Sequence, residues 1–182
     1  MGTPCPPEHA KLFVAVLHTA DFDPTPIMAH LQERFGLVEY THGPVDFSWS
    51  DYYAAEMGAS LKKFYACFCG TMEREALPGI KLWTNGLEAE HARKGKRLVN
   101  IDPGYLARDK LVLATTKDFF HRLHLADGIY GEVTLHLRQG VYRHFSWTYP
   151  DFKEEKLHEL LFKARASLVG EVRKIRENGK TK

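Results

Sequence analysis

Three side chains in the middle of this 182-residue sequence have the chemistry of acid–base catalysis. Asp102 and Glu132 carry carboxyl groups that can accept or donate a proton. His121 lies between them in the chain, and its imidazole changes charge near neutral pH. We predict catalytic roles for these three residues, on the condition that the fold brings them together.

Cationic side chains accompany these acids and suit an anionic ligand. Lys117 and Arg122 lie in the same stretch, and Lys81 precedes it. Ammonium and guanidinium groups bind phosphate and carboxylate oxygens through charge-assisted hydrogen bonds. Lys81 shares one face of a predicted helix with Asn85 and Glu88, a pattern that is also typical of an ordinary solvated helix. We predict that these five residues contribute to ligand binding.

A predicted β-hairpin positions part of this set. The segments FFHRLHL and IYGEVTLHL pair if the chain turns at residues 126–128. The predicted cross-strand pairs are Arg122–Glu132 and His124–Tyr130 on a polar face, and Leu125–Ile129, Leu123–Gly131 and His121–Val133 on an apolar face. A slip of one residue would exchange the two faces.

Histidines on the polar face suggest an alternative function. The next strand, VYRHFSW, follows a turn at residues 138–140 and places Tyr142 beside His136. Imidazole and carboxylate groups bind zinc, as in a metal-dependent hydrolase. The side chains concerned are His124, His136, His144 and Glu132. An antiparallel sheet with one solvated face shows the same alternation without any metal, and we predict no metal site.

Hydrophobic patterning predicts the elements that must position these side chains. Residues 11–19, KLFVAVLHT, form a continuous apolar run that is typical of an interior strand. Residues 27–36, IMAHLQERFG, place apolar residues on one helical face and end at a glycine. KKFYACFCGTM predicts another strand, with Cys67 and Cys69 on one face as small core residues.

Four further segments complete the pattern. EREALPGIKLWTNGLEAEHARKG predicts a helix broken at Pro78-Gly79, and one apolar stripe in EEKLHELLFKARASLVGEVRKI predicts a C-terminal helix. RLVNIDPGYL predicts a short strand that turns at Asp102-Pro103-Gly104, where Pro presets φ and Gly accepts positive φ. ARDKLVLATTKD has its apolar residues in one run; we predict a helix there, although a short buried strand fits almost equally well.

Together these elements predict an α+β fold in a single domain. We expect a mixed, mostly antiparallel sheet of about six or seven strands, with the helices packed on one face. Residues 11–175 would form the domain, between a flexible N-terminal arm at 1–10 and a frayed basic tail at 176–182.

Composition supports a globular protein and argues against nucleic-acid binding. Hydrophobic residues make up 44% of the chain and aromatic residues 12%, which is enough for a core. The 25 basic and 23 acidic residues leave a net charge of +2, without the one-sided basic charge of nucleic-acid-binding proteins. The three cysteines lack the spacing of a disulfide framework, and no signal peptide or apolar membrane span is present. We expect a cytoplasmic protein with no membrane partner.

Aromatic residues suggest a second alternative, a non-enzymatic interaction module. A surface patch of aromatic rings would bind protein or nucleic acid. The rings concerned are Phe47, Trp49, Tyr52, Tyr53, Trp147 and Tyr149. Aromatic residues in strands more often belong to the core, so this function ranks behind ligand binding.

Several segments, taken in order, resemble those of a known family. NIDPGYL, KLVLATTKD, DGIYGEVTL and WTYPDF, together with YYAAEMG and IKLWTNGLE, are similar to the pattern of the domain of unknown function 4416 family. The resemblance implies a single-domain, cytoplasmic prokaryotic protein. It also draws attention to Glu56, Thr84 and Asn100 beside the residues named above, and we add Asn100 to the predicted ligand-binding positions.

A GTP-binding label that some members of this family carry has little support in this sequence. No GxxxxGK[ST] motif occurs, and residues 116–118 lack the spacer of a guanine-reading [NT]KxD motif. The label serves only as a pointer towards phosphorylated ligands. We predict a small-molecule-binding protein, or an enzyme, for an anionic ligand such as a nucleotide or sugar phosphate; the sequence specifies no cofactor.

Overall fold

The structure, a computed structural model, describes residues 2–49, 53–58 and 60–179. Within these ranges the chain forms eight strands and four α-helices. The strands are β1 (Lys11–Thr19), β2 (Val38–Phe47), β3 (Leu61–Phe68), β4 (Val99–Leu106), β5 (Lys110–Thr115), β6 (Leu123–Ala126), β7 (Ile129–Arg138) and β8 (Val141–His144). The helices are α1 (Thr25–Phe35), the short α2 (Ala54–Met57), α3 (Leu77–Glu90) and α4 (Glu155–Gly179).

All eight described strands join one sheet. Their order is β2-β3-β1-β4-β5-β7-β6, and β8 also pairs with β7. Every pairing among the described strands is antiparallel. The prediction of an α+β fold in one domain is confirmed; the sheet has eight strands where six or seven were expected, and it is antiparallel throughout the described part of the chain.

Helices cover both faces of the sheet, because its central strands are apolar on both sides. All nine residues of β1 are buried. Val14 belongs to one core cluster with Ile27 of α1 and Leu87 of α3, whereas Phe13 belongs to the opposite cluster with Leu161 of α4. A strand that is apolar on both faces needs cover on both, so the helices do not all pack on one face as expected.

Strand β4 runs straight through the predicted turn at Asp102-Pro103-Gly104. Ala15 of β1 lies opposite Asp102, and Phe13 lies opposite Gly104. The turn prediction was wrong because pairing with β1 along the whole strand outweighs the local preference of the Pro-Gly pair. Within a strand, Pro marks an unpaired edge and Gly a close approach of two backbones.

That close approach is visible at Gly104. A Cβ atom placed there would lie 2.3 Å from the carbonyl oxygen of Val112 and 2.8 Å from Cδ2 of Leu113. Glycine is therefore required where β4 and β5 meet.

Residues 110–115 form strand β5 rather than the predicted helix. Leu111 and Leu113 belong to the core cluster on the α4 side, while Val112 and Ala114 belong to a cluster on the opposite face. Neighbouring strands on both sides supply the hydrogen bonds of β5. The helix prediction was wrong because a short apolar run fits a buried strand as well as a buried helical turn, and only the sheet neighbours decide between them.

The first hairpin closes with a two-residue turn instead of three. Asp127 and Gly128 both have positive φ, 52° and 74°, as in a type I′ turn. Ala126 consequently lies opposite Ile129, and an irregularity at Leu125 restores the predicted His124–Tyr130 and Leu123–Gly131 pairs. The expected Leu125–Ile129 pair is therefore absent.

The second hairpin also has a two-residue turn, but nothing compensates for it. Gln139 and Gly140 have φ values of 52° and 76°. Tyr142 lies opposite Leu137 and not opposite His136, as the prediction had it. The predicted register was wrong by one residue because the turn has two residues and not three.

Three smaller expectations also need correction. Helix α3 is not broken at Pro78-Gly79 but begins there, with Pro78 in its first turn, where its missing N–H costs nothing. Cys67 is buried as expected, whereas Cys69 lies beyond the end of β3 and is exposed. Helix α4 continues through residues 176–179, so this part of the predicted tail is helical; residues 180–182 lie outside the described residues.

The N-terminal segment before β1 lacks regular secondary structure over residues 2–9. It is nevertheless attached to the domain, since Glu8 forms salt bridges with Arg108 and Arg176. None of the helices in the described part of the chain combines the length and apolar character needed to cross a membrane.

The Gly104→Ala substitution should destabilise the protein by about 1–3 kcal/mol, because the new methyl group collides with the backbone of β5. Gly86→Ala in α3 is the control: a Cβ there meets nothing within 4 Å, so the change should stabilise the helix by roughly 0.5–1 kcal/mol. Urea unfolding of both variants measures the difference. Equal stability of the two variants would contradict the tight β4–β5 contact.

Candidate functional site

A cavity of about 330 Å³ opens where β4 and β5 separate. The two strands pair only between residues 104–106 and 111–113, so the start of β4 and the end of β5 are not paired with each other. We call this space the central cavity. Its charged lining residues are Lys63, Lys81, Glu88, Arg97, Asp102, Lys117, Arg122, Glu132 and Asp151, and its aromatic ones are Phe47, Tyr53, Tyr149 and Phe152.

Helix α3 satisfies the backbone of the unpaired part of β4. The N–H of Ile101 donates to Oε1 of Glu88 at 2.7 Å, and Lys81 Nζ donates to the Ile101 carbonyl oxygen at 2.7 Å. These side chains replace the missing neighbouring strand, because a buried backbone group needs a partner. Pro103 is two residues further along and faces the same gap, where it has no N–H to satisfy.

Arg97 holds together one wall of the central cavity. Its Nε and Nη2 donate to the two carboxylate oxygens of Glu56 at 2.6 and 2.7 Å. Its Nη1 donates to Glu88 Oε2 at 3.2 Å and to Asn100 Oδ1 at 2.9 Å. Asn100 in turn donates to Asp102 Oδ2 at 2.7 Å. The acids on this wall are therefore fixed in position by charge-assisted hydrogen bonds.

The two glutamates bound to Arg97 differ in their electrostatic environment. The hydrogen bond from Arg97 holds the pKa of Glu56 below its usual value. Burial raises the pKa of Glu88, although Lys81 and the Ile101 N–H oppose this effect. Glu88 is thus the acid of this wall on which desolvation acts most strongly.

A second wall is centred on Glu132. Its Oε2 accepts hydrogen bonds from Arg122 Nε at 3.0 Å and from His121 Nε2 at 2.9 Å. Because the carboxylate can only accept, Nε2 of His121 carries the proton. Nδ1 of His121 is buried and has no partner among the described residues. The ring also stacks on Trp147, with centroids 4.9 Å apart.

A third group of residues closes the cavity beside β3. Lys63 Nζ and the hydroxyl group of Tyr65 both donate to Oδ2 of Asp151, at 2.5 and 2.7 Å. Burial and the neighbouring Asp151 raise the pKa of Tyr65, so the phenol keeps its proton. The ammonium group of Lys63 lies 5.2 Å from the ring centroid of Phe47 and 5.0 Å from that of Phe152, within range of a cation–π interaction.

Eight of the nine predicted site residues line the central cavity. These are Lys81, Asn85, Glu88, Asn100, Asp102, Lys117, Arg122 and Glu132. The ninth, His121, is not part of the cavity wall and lies behind Glu132. Its predicted position opposite Val133 was wrong, because β6 begins only at Leu123. The expected Arg122–Glu132 pair is present as a salt bridge.

Sequence reasoning missed Lys63, Arg97, Asp151 and the cavity position of Tyr149. A charged residue inside the apolar stretch that forms β3 was the available signal for Lys63, which is only 7% exposed. Asp151 follows a proline and precedes the predicted C-terminal helix, where nothing in the sequence indicated a site residue. Arg97 precedes β4 and carried no local signal, since its three partners are contributed by α2, α3 and β4.

The histidines of the metal alternative do not converge. No group of three or more His, Cys, Asp or Glu side chains in the described part of the chain is arranged to hold a metal ion. The one-residue shift in the second hairpin is the reason, since His136 lies opposite Arg143 and His144 opposite Leu135. His136 and His144 therefore belong to opposite faces of the sheet.

The aromatic residues of the interaction alternative are divided between different environments. Phe47 is buried, and it lines the central cavity with Tyr53 and Tyr149. Trp49 is exposed, while Trp147 stacks between His121 and Phe145. The sixth residue of this set, Tyr52, lies outside the described residues.

The fold and this site define a class: a single-domain α+β protein with one antiparallel sheet and a polar cavity between two separating strands. The chain belongs to the family described as Domain of unknown function (DUF4416), whose family model matches residues 8–168. Comparisons with curated proteins and with solved structures found no match.

Arg122 and Glu132 should show strong energetic coupling in a double-mutant cycle. Their side chains are 13% and 6% exposed, so Arg122→Gln or Glu132→Gln alone leaves a partner poorly solvated, and we expect a coupling of about 2–3 kcal/mol. The exposed pair Arg173–Glu177 is the control and should give at most about 0.5 kcal/mol. Urea unfolding of the single and double variants measures both values, and equal couplings would contradict the buried pair.

Proposed function

We propose that the protein binds a small anionic ligand, such as a nucleotide or a sugar phosphate, in the central cavity. The observation that carries this proposal is the convergence of five cationic side chains and four aromatic rings on one cavity of about 330 Å³. A cavity of that size is typical of small-molecule sites. Cations bind anionic groups, and aromatic rings pack against the sugar or base.

The anionic group would bind at the rim formed by Arg122, Lys117 and Tyr149. Arg122 uses Nε for Glu132 and Nη1 for the carbonyl oxygen of Lys117, at 3.0 and 3.1 Å. Its Nη2 makes no hydrogen bond within the described residues, and a guanidinium group has five N–H donors. Lys117 is exposed at the cavity edge. Two cations on one side of the rim favour phosphate over a neutral ligand.

Tyr149 adds a neutral donor to this rim. Its ring lines the cavity and is 43% exposed. Burial and the negative charge of Glu132 raise its pKa, against the opposing effect of Arg122. The phenol therefore keeps its proton and can donate to a phosphate oxygen.

A reaction on the bound ligand would use the carboxylates of the wall. Glu132 and Asp102 both line the cavity, and either is suited to accept a proton. His121 would act as a positioning residue, because its hydrogen bond fixes the orientation of Glu132. The free cysteines favour a reducing, cytoplasmic location, which we include in the proposal.

Thermal unfolding with AMP, ribose 5-phosphate or inorganic phosphate tests the binding function. At a free concentration of about 100 times Kd, a ligand stabilises the native state by about 2.7 kcal/mol. For a chain of this size that stabilisation raises Tm by roughly 5–10 °C. We expect this increase for at least one of the phosphate esters.

The variant Lys117→Gln should weaken the affinity about tenfold, because it removes one charge-assisted contact. Lys110→Gln is the matched control, because Lys110 begins β5 and does not line the cavity. This variant should bind like the wild type. Isothermal titration calorimetry gives both affinities. The proposal is lost when none of the compounds raises Tm, or when both variants weaken binding equally.

A further inference from the structure

At the cavity end beside β3, the buried carboxylate of Asp151 has one oxygen in hydrogen bonds and one without a partner among the described residues. We propose that Lys63 and Asp151, which we call the inner subsite, bind a neutral hydrogen-bond donor of the ligand, either a sugar hydroxyl or an N–H group of a base. This inference rests on the proposed function and specifies the part of the ligand that is not anionic.

The hydrogen bonds of Asp151 support this assignment. Oδ2 accepts from both Lys63 and Tyr65. Oδ1 is buried and has no hydrogen-bond partner in the described part of the chain, although the residue is only 2% exposed and belongs to the cavity lining. An unsatisfied buried carboxylate oxygen is unfavourable. A donor brought by the ligand would remove that cost, so it would contribute to binding free energy.

The charge of the inner subsite selects a neutral donor over a cation. Lys63 already balances the carboxylate of Asp151 in a salt bridge of 2.5 Å. A second ammonium group would face Lys63 at close range and be repelled. Hydroxyl groups and the N–H groups of a base avoid this repulsion, and both donate to carboxylate oxygens.

The geometry of the sheet places the inner subsite far from the anionic rim. Lys63 lies on β3 and Glu132 on β7, and β1, β4 and β5 separate these strands. Four steps of about 4.8 Å put the two backbones roughly 19 Å apart. Side chains reach inward from both sides and shorten the gap. A ligand that touches both ends must be elongated, which fits a nucleotide or sugar phosphate better than inorganic phosphate.

Aromatic rings beside the inner subsite suit the same part of the ligand. The rings of Phe47 and Tyr53 lie with their centroids 6.4 Å apart, and both belong to the cavity lining. Their apolar surfaces can pack on the face of a sugar or a base while Asp151 binds a group at its edge.

Isothermal titration calorimetry with three phosphate esters tests the inference. AMP carries hydroxyl and N–H donors, ribose 5-phosphate carries hydroxyl donors, and butyl phosphate has the phosphate group alone. We expect the wild type to bind at least one of the first two about tenfold more tightly than butyl phosphate, the gain typical of one hydrogen bond to a charged group.

The double variant Lys63→Met, Asp151→Leu should abolish this preference, so that AMP and ribose 5-phosphate bind no more tightly than butyl phosphate does. Replacing both charges together avoids an uncompensated buried ion. Loss of affinity for both AMP and ribose 5-phosphate assigns the donor to the sugar, and loss for AMP alone assigns it to the base. Lys62→Met, Asp46→Leu is the matched control, because these residues pair between β2 and β3 on the face away from the cavity.

Tyr65→Phe provides a second variant that leaves both charges in place. It removes only the hydroxyl donor to Oδ2, so the preference over butyl phosphate should persist whether or not the double variant folds. Equal wild-type affinities for the three esters would overturn the inner subsite while leaving the proposed function intact. Absence of binding by all three would overturn the proposed function and the inference with it.

Discussion

The separation of β4 from β5 is the constraint on which the rest of the site depends. Opening a sheet leaves buried backbone groups without partners, and such groups are costly. Here the N–H and carbonyl groups of Ile101 bond to Glu88 and Lys81 of α3, and Pro103 contributes no N–H to the gap. Gly104 then lets the two backbones approach closely where pairing resumes. A cavity can therefore exist in the middle of a sheet that is otherwise continuously paired.

Paired charges follow from this arrangement. Each carboxylate of the cavity wall is close to a cation or an amide. The pairs are Asp151 with Lys63, Glu132 with Arg122, Glu88 with Arg97, and Asp102 with Lys81 and Asn100. Pairing keeps ionised groups tolerable at low exposure, whereas a single unpaired charge would be expelled or neutralised. These ion pairs also fix the geometry of the wall, so a ligand would meet side chains that are already oriented, and little ordering cost would remain on binding.

Some parts of the fold could be predicted from the sequence, and others could not. Strand β1 and helix α1 were predictable because their patterns are local and unambiguous. Strand β5 was not, since a short apolar run fits two structures and only neighbouring strands decide. The two hairpins differ in one small feature that decides their register. An irregularity at Leu125 preserved the predicted register of the first hairpin. The second hairpin has no such irregularity, and its register was predicted wrongly by one residue. At the site, side chains predicted for their chemistry do line one cavity, but Arg97 and Asp151 had no local signal.

The amino-acid sequence by itself determined the class of fold and the chemical character of the site, because apolar periodicity and residue type are properties of short segments. The tertiary structure alone decided where those residues meet. His121 supports Glu132 from behind instead of facing the cavity, and Lys63 and Asp151, 88 positions apart, form one buried pair. Such contacts depend on strand order and register across the whole chain, and these are set by burial on both faces of the sheet and by turn geometry rather than by any single segment.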